Sequence, residues 1–231
     1  MKKKIITIEE LEERKNELQN NKLPLLNEKQ QIGLRYYKPL MLRISRKEIV
    51  EFEKLFVKLF ELVVQENGET IENHKFQIVG SYRRGAKDSG DIDIIFTSLN
   101  DNKLIFDKFI DKLLHSGDGN GENILLHLLS RGPTKSLTIG KLPLKDAIPR
   151  RLDFLYTSLN EFPFALLYFT GSKDFNTAMR QHALNLGLTL NEHGFHKINK
   201  TKTKEAKIDA TLFTSEKDIF DYLGMVYKEP F

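Results

Sequence analysis

The chain has 231 residues, 36 Lys and Arg against 32 Asp and Glu for a formal charge of +4, and 40% apolar residues. That length is one large domain or two small ones, and the apolar share can bury a core, which excludes wholesale disorder and fibrous or collagen-like structure. With no Cys there is no disulfide framework, thiolate metal site or Cys nucleophile, and the opening MKKKIIT leads into no long apolar stretch.

In chain order, Ile8 to Gln19 is charged with apolar positions at Ile8, Leu11 and Leu18, a helical spacing. Asn27 to Tyr37 begins a second helix, with Asn27 as N-cap and Gln30 three residues on. Ser45 to Gln65 carries the clearest helical stripe: Ser45 caps, Glu48 takes the capping-box position, and Ile49, Phe52, Leu55, Phe56, Leu59, Leu62 and Val63 follow. Then the period changes. Phe76 to Val79 is a short apolar strand punctuated by Gly80-Ser81, and a basic turn (Tyr82 to Lys87) leads to the strand Asp91 to Phe96. A helix at Leu104 to His115 gives way to a Gly-rich loop, Gly117 to Gly121. Strand patterns return at Ser136 to Leu144 and Arg151 to Tyr156, with Pro143 and Pro149 at their edges. From Phe162 onward helical patterns dominate with one hairpin-like piece, broken by Thr170-Gly171-Ser172 and by the Lys/Thr loop Asn199 to Lys204.

The composition shifts near Ile44 and again at Leu159 to Pro163. The expected division is a helical segment over 1–44, a mixed α and β domain over 45–158 and a mostly helical domain over 159–231, an α+β fold. Charge is uneven as well: His196 to Lys207 holds five Lys and one Glu, whereas Asp209 to Phe231 holds five acids and two Lys. By itself such a run is equally a solvated loop beside a solvated helix.

Residues two apart in a strand project to one face, so Asp91 and Asp93 point together while Ile92, Ile94 and Phe96 face the core. Arg151, Asp153 and Leu155 share a face of the later strand. If the two strands are neighbours, three carboxylates converge and repel one another unless cations neutralise them. Hard oxygen ligands suit Mg²⁺, and two ions about 3.5–4 Å apart serve in-line displacement at phosphorus. An isolated Asp-x-Asp is equally a strand with a solvated face. The segment upstream sharpens the reading, because Gly80-Ser81 opens a turn with Arg83, Arg84, Ser89 and Gly90 ten residues before the paired Asp. A strand feeding a helix N-terminus, with a hydroxyl and a guanidinium, makes a triphosphate cradle.

Together the segments Gly80 to Phe96 (GSYRRGAKDSGDIDIIF), Arg150 to Phe154 (RRLDF), Ala165 to Ser172 (ALLYFTGS), Phe175 to Arg180 (FNTAMR), Leu190 to His193 (LNEH) and Glu216 to Pro230 (EKDIFDYLGMVYKEP) resemble the nucleotidyltransferase superfamily, and within it the family X DNA polymerases. The resemblance implies a catalytic palm with a mixed sheet over 45–158 and a nucleotide- and DNA-gripping domain behind it. It makes Asp91, Asp93 and Asp153 ligands of two Mg²⁺ ions, with Mn²⁺ as a substitute. Asp153 would also help deprotonate the primer 3′-hydroxyl, steered by Arg151. It assigns Arg43, Ser81, Arg84, Ser89 and Gly90 to the phosphates, although Ser45 stands where relatives usually have Pro. Tyr168, Phe169 and Gly171 would meet the incoming sugar, and Asn176 and Arg180 the minor groove of the new base pair. Thr189, Asn191 and His193 would lie on the DNA, His193 on the template side, and the Lys197 to Lys207 loop on its phosphates. The other five His, at 74, 115, 127, 182 and 196, form no ligand spacing and are expected to be structural.

The partners implied are primer–template or gapped DNA and dNTPs, acted on by a monomer, without a membrane, inside the cell and in the nucleus if the source is eukaryotic. Full-length family members carry an N-terminal lyase domain and helix-hairpin-helix motifs. Nothing upstream of Ile8 would encode them, so the expectation is a minimal form in which 1–44 is a remnant of the DNA-binding subdomain, synthesis is distributive and lyase activity is absent. Two other readings stand beside template-directed synthesis: nucleotidyl transfer without a template or to another acceptor, and a non-catalytic DNA-binding scaffold.

Overall fold

The computed structural model describes residues 7–19, 23–117, 123–199 and 203–230. The N-terminal segment holds helix α1 (Ile8–Arg14), a hairpin of β1 (Leu18–Gln19) and β2 (Leu23–Pro24), and helices α2 (Glu28–Arg35) and α3 (Tyr37–Leu40). The helix expected to reach Gln19 ends at Arg14, whose guanidinium turns onto Glu17 through two 2.8 Å bonds as the chain bends into the hairpin. In α2 the capping box is complete, with Asn27 and Gln30 exchanging two 2.9 Å bonds.

Strand β3 (Ile44–Ser45) leads into α4 (Arg46–Glu66). Ser45 caps it by accepting from Glu48 N, but only half of the expected box forms. The Glu48 carboxylate instead receives Arg150 at 2.7 and 2.8 Å, pinning the start of α4 to the sheet. The chain continues through β4 (His74–Ile78), the single turn α5 (Gly80–Arg83), β5 (Asp88–Ser89), β6 (Ile92–Ser98), α6 (Leu104–His115), β7 (Leu125–Arg131), β8 (Lys135–Gly140) and β9 (Arg150–Tyr156). Five of these strands form one mixed sheet in the order β4-β6-β9-β8-β7, with β6 and β9 parallel and the other pairs antiparallel. Its Phe96 and Phe154 meet Phe52, Phe56 and Phe60 of α4 and Phe106 and Phe109 of α6 in the main core. The Gly-rich loop expected from Gly117 lies outside the described residues beyond Gly117 itself.

Helix α7 (Phe162–Thr170) crosses the other face of the sheet. Phe162, Leu166 and Phe169 cover Val79, Ile95 and Leu155, while Phe164 and Leu167 belong to a second core. Being apolar on both sides, α7 joins the two halves of the molecule. The second core is completed by α8 (Lys173–Asn185), a three-stranded sheet of β10 (Leu188–Asn191), β11 (Gly194–Ile198) and β12 (Lys204–Lys207), and α9 (Glu216–Tyr222). The hairpin-like piece is β10–β11, and β12 extends it. Residues 200–202 of the Lys loop lie outside the described residues. Among those described, no helix is long and apolar enough to cross a membrane.

Candidate active site

Parallel pairing of β6 with β9 sets Ile92 opposite Leu152 and Asp93 opposite Asp153. Neighbouring strands are about 4.8 Å apart, so these two carboxylates stand beside each other. Burial, and next the charge of Asp153, pushes the Asp93 carboxyl up to about 6 against the pull of Lys135. Burial raises Asp153 as well, opposed by Arg151 and Lys135. Asp153 Oδ1 is buried with no hydrogen-bond partner, the Arg151 Nε lying 3.6 Å away.

Asp91 lies just before β6 and lines the same cleft as Asp93. Its carboxylate is ion-paired with the Arg151 guanidinium, which stands between the strands where positive charge is wanted. Among the described residues no group of three or more His, Asp or Glu side chains is gathered closely enough to hold a metal ion as the side chains lie. The donor set fits a divalent cation: hard carboxylate oxygens, one of them buried and unpartnered, and one carboxyl whose ionisation is resisted by burial and by the neighbouring Asp153.

A cleft of about 660 Å³ opens beside the carboxylates. Of the expected nucleotide-binding residues, Arg43, Ser81, Arg84, Gly90, Tyr168, Phe169, Gly171 and Asn176 line it, together with Asp91, Asp93 and Arg180. Arg43 immediately precedes β3, whose pairing with β5 carries it across to Asp88; Arg43 Nε donates to Asp88 Oδ1 at 2.9 Å. Gly90 permits this approach, because a Cβ there would stand 3.1 Å from Arg43 Nη1. Ser89 is set back from the cleft, buried with its Oγ 2.7 Å from Ser81 Oγ, so it orients Ser81 rather than facing a ligand. The expected helix N-terminus at Gly80 is only the single turn α5, which weakens its dipole contribution.

Both arginines of the Gly80 turn reach across to the end of α7. Arg84 Nη1 donates to the Thr170 carbonyl at the end of α7. Arg83 donates to Thr170 Oγ1 at 2.7 Å and to Glu216 of α9 at 2.8 and 2.5 Å, with Glu216 buried. Sequence reasoning gave Arg83 no partner, since Glu216 is 133 residues away and nothing local marks it. Lys135 was missed too: it sits on β8 opposite Leu155, and only the sheet order brings its charge to Asp93 and Asp153.

On the other wall, Asn176 Nδ2 donates to the Tyr168 carbonyl at 2.7 Å, fixing α8 against the end of α7, and Gly171 turns between them with φ 65°. Tyr168 and Phe169 meet edge to face at 5.1 Å. Asn191 Oδ1 accepts from His193 N at 3.0 Å in the β10–β11 turn, and His193 Nδ1 is 2.8 Å from Glu161 Oε2. Thr189 faces His196 across the hairpin and lines neither this cleft nor the neighbouring one bordered by His193.

Compared with protein-family models, residues 43–158 match the DNA polymerase beta palm and residues 165–231 the DNA polymerase beta thumb. The chain is similar to DNA polymerase lambda of Rattus norvegicus, 31% identical over 214 residues covering 90% of this chain and 36% of that protein. It is also similar to DNA polymerase lambda of Arabidopsis thaliana, 28% identical over 89% of this chain and 39% of the relative. DNA nucleotidylexotransferase of Xenopus laevis is 26% identical over 93% of this chain and 46% of the relative. The chain spans less than half the length of each of these three relatives.

Proposed function

The chain belongs to family X of the DNA polymerases, with the palm and thumb of the polymerase beta kind, and from that membership we propose that it is a template-directed DNA polymerase that fills short gaps. The observation that carries the reading is the in-register pair Asp93 and Asp153 beside a cleft walled by Arg43, Arg84 and Arg180. The primer 3′-oxygen attacks the α-phosphorus of a dNTP, the bond to the departing pyrophosphate breaks, and the hydroxyl proton leaves towards Asp153, whose Oδ1 has no competing hydrogen bond. Asp91, Asp93 and Asp153 would hold two Mg²⁺ ions, or Mn²⁺ in their place, which when bound neutralise charge on the attacking and leaving oxygens. Arg151 then exchanges its contact with Asp91 for the primer end and continues to orient Asp153. Ser81, Gly90, Arg43 and Arg84 hold the β and γ phosphates, and Arg84 gives up the Thr170 carbonyl to do so. Tyr168 to Gly171 flank the sugar, while Asn176, Arg180, Asn191 and His193 meet DNA. The partners are dNTPs and gapped or primer–template DNA, bound by a monomer that acts in the nucleus where the source cell has one, with 45–158 as palm and 159–231 as grip.

Gap filling with Mg²⁺ tests the site. Asp91→Ala and Asp153→Ala should each lose dNTP incorporation while still binding gapped DNA; incorporation retained by either variant overturns the assignment. The similarity to a nucleotidylexotransferase supports a second reading, untemplated addition. Extension of one primer with and without its template strand separates the two.

A further inference from the structure

Resting on that reading, we propose that Glu161 is a positioning residue for the template strand: its carboxylate holds His193 and Lys207 side by side as one basic clamp. Glu161 closes the short turn Leu159–Glu161 at the entry to α7. Its Oε2 lies 2.8 Å from His193 Nδ1, and its Oε1 accepts from Lys207 Nζ at 2.6 Å. The two basic groups come from separate places, the β10–β11 turn and the end of β12, and nothing in the β-ladder requires their side chains to meet. The carboxylate makes them meet.

Exposure follows the same division. The Glu161 side chain is 22% exposed, whereas His193 and Lys207 are 59% and 44% exposed, so the acid is underneath and the bases face outward. Burial alone would raise the Glu161 carboxyl, but the bonds from Lys207 and His193 outweigh it and hold the group below the usual carboxylate range. Glu161 is therefore ionised and acts as a fixed acceptor. With Nδ1 committed to it, the imidazole, an exposed side chain, keeps Nε2 free of a hydrogen bond to Glu192, whose Oε1 pairs with it only at 4.0 Å, beyond hydrogen-bond reach. An exposed imidazole beside an ammonium suits a DNA strand, the one offering hydrogen bonds to base edge or sugar and the other neutralising a phosphate.

The proposal reverses the sign expected from charge alone. Removing a negative group from a DNA-facing surface should tighten binding. If Glu161 is a positioning residue, Glu161→Ala instead weakens binding to gapped DNA by about three- to tenfold. KM for dNTP at saturating DNA then changes by less than about twofold, since Glu161 is not part of the cleft. Glu161→Gln, which can still accept one of the two bonds, falls between. In a His193→Ala/Lys207→Ala background, Glu161→Ala has no further effect. DNA binding unchanged or tightened by Glu161→Ala, or weakened equally without the two basic groups, overturns the proposal. A parent chain that does not bind gapped DNA counts against the polymerase reading instead. In that case the ¹⁵N resonances of the His193 ring, recorded without DNA, decide the clamp: they shift in Glu161→Ala if it exists and stay fixed if it does not.

Discussion

Gly80 shows how closely backbone and carboxylates are fitted. Its φ is 63°, and a Cβ at that position would stand 3.0 Å from Asp93 Oδ2. Gly80→Ala should therefore cost about 1–2 kcal/mol of backbone strain and displace Asp93, lowering incorporation by about 100-fold, as steady-state kinetics and thermal unfolding would register together. A variant with unchanged kinetics would mean that Asp93 is not held by this turn. The carboxylates themselves are destabilising without cations, because burial resists the ionisation of both. Asp153→Asn should accordingly raise the thermal midpoint in chelator while abolishing the gain that Mg²⁺ gives the parent chain. A parent chain whose midpoint ignores Mg²⁺ would contradict a cation site here. At this scale the Asp pattern and the Gly-Ser turn were readable from spacing alone, since strand alternation decides which residues share a face. The seating of Asp91 on Arg151 and of Ser89 behind Ser81 was not, because each depends on a contact made after the strands pair.

Among the elements, α4 and α6 were legible for a physical reason: long apolar stripes with the helical period bury one face each. Strand β7 was not. Its pairing with β8 shifts register twice, at Leu125/His127 and Leu128/Ser130, so the two-residue alternation that betrays a strand is broken. Strands β3 and β5 are two residues each, too short to carry a period, yet their pairing is what brings Arg43 to the cleft. The charged edge strand β12 has no apolar alternation either, a common way to blunt a sheet edge. Between elements, the contact with most at stake is α5 to α9. Arg83 and Glu216 are 14% and 8% exposed, so removing one partner leaves the other charge buried and uncompensated. Glu216→Ala should destabilise by about 3 kcal/mol in denaturant unfolding, with a smaller loss when Arg83→Met is made with it. Strict additivity of the two would show that the pair does not couple the halves.

Across the whole molecule, the main core and the second core are joined by the apolar helix α7 and the buried Arg83–Glu216 ion pair, and the cleft lies where they meet, walled by the Gly80 turn on one side and by residues 168–180 on the other. The modest charge of +4 agrees with this arrangement, since basic side chains of the cleft and clamp are offset by the acids they are built around. Composition could not reveal that; the family, by contrast, was carried by the motifs, and the family match over 43–158 and 165–231 agrees with it. What no motif expressed is how the halves are held to each other, because Arg83 and Glu216 meet across 133 residues of sequence. The most direct measurement is single-nucleotide incorporation into a one-nucleotide gap in Mg²⁺, with each dNTP against each template base. A template-directed polymerase gives incorporation that follows the template base and vanishes when the template strand is left out. Addition that ignores the template base, or proceeds equally on the primer alone, would contradict it.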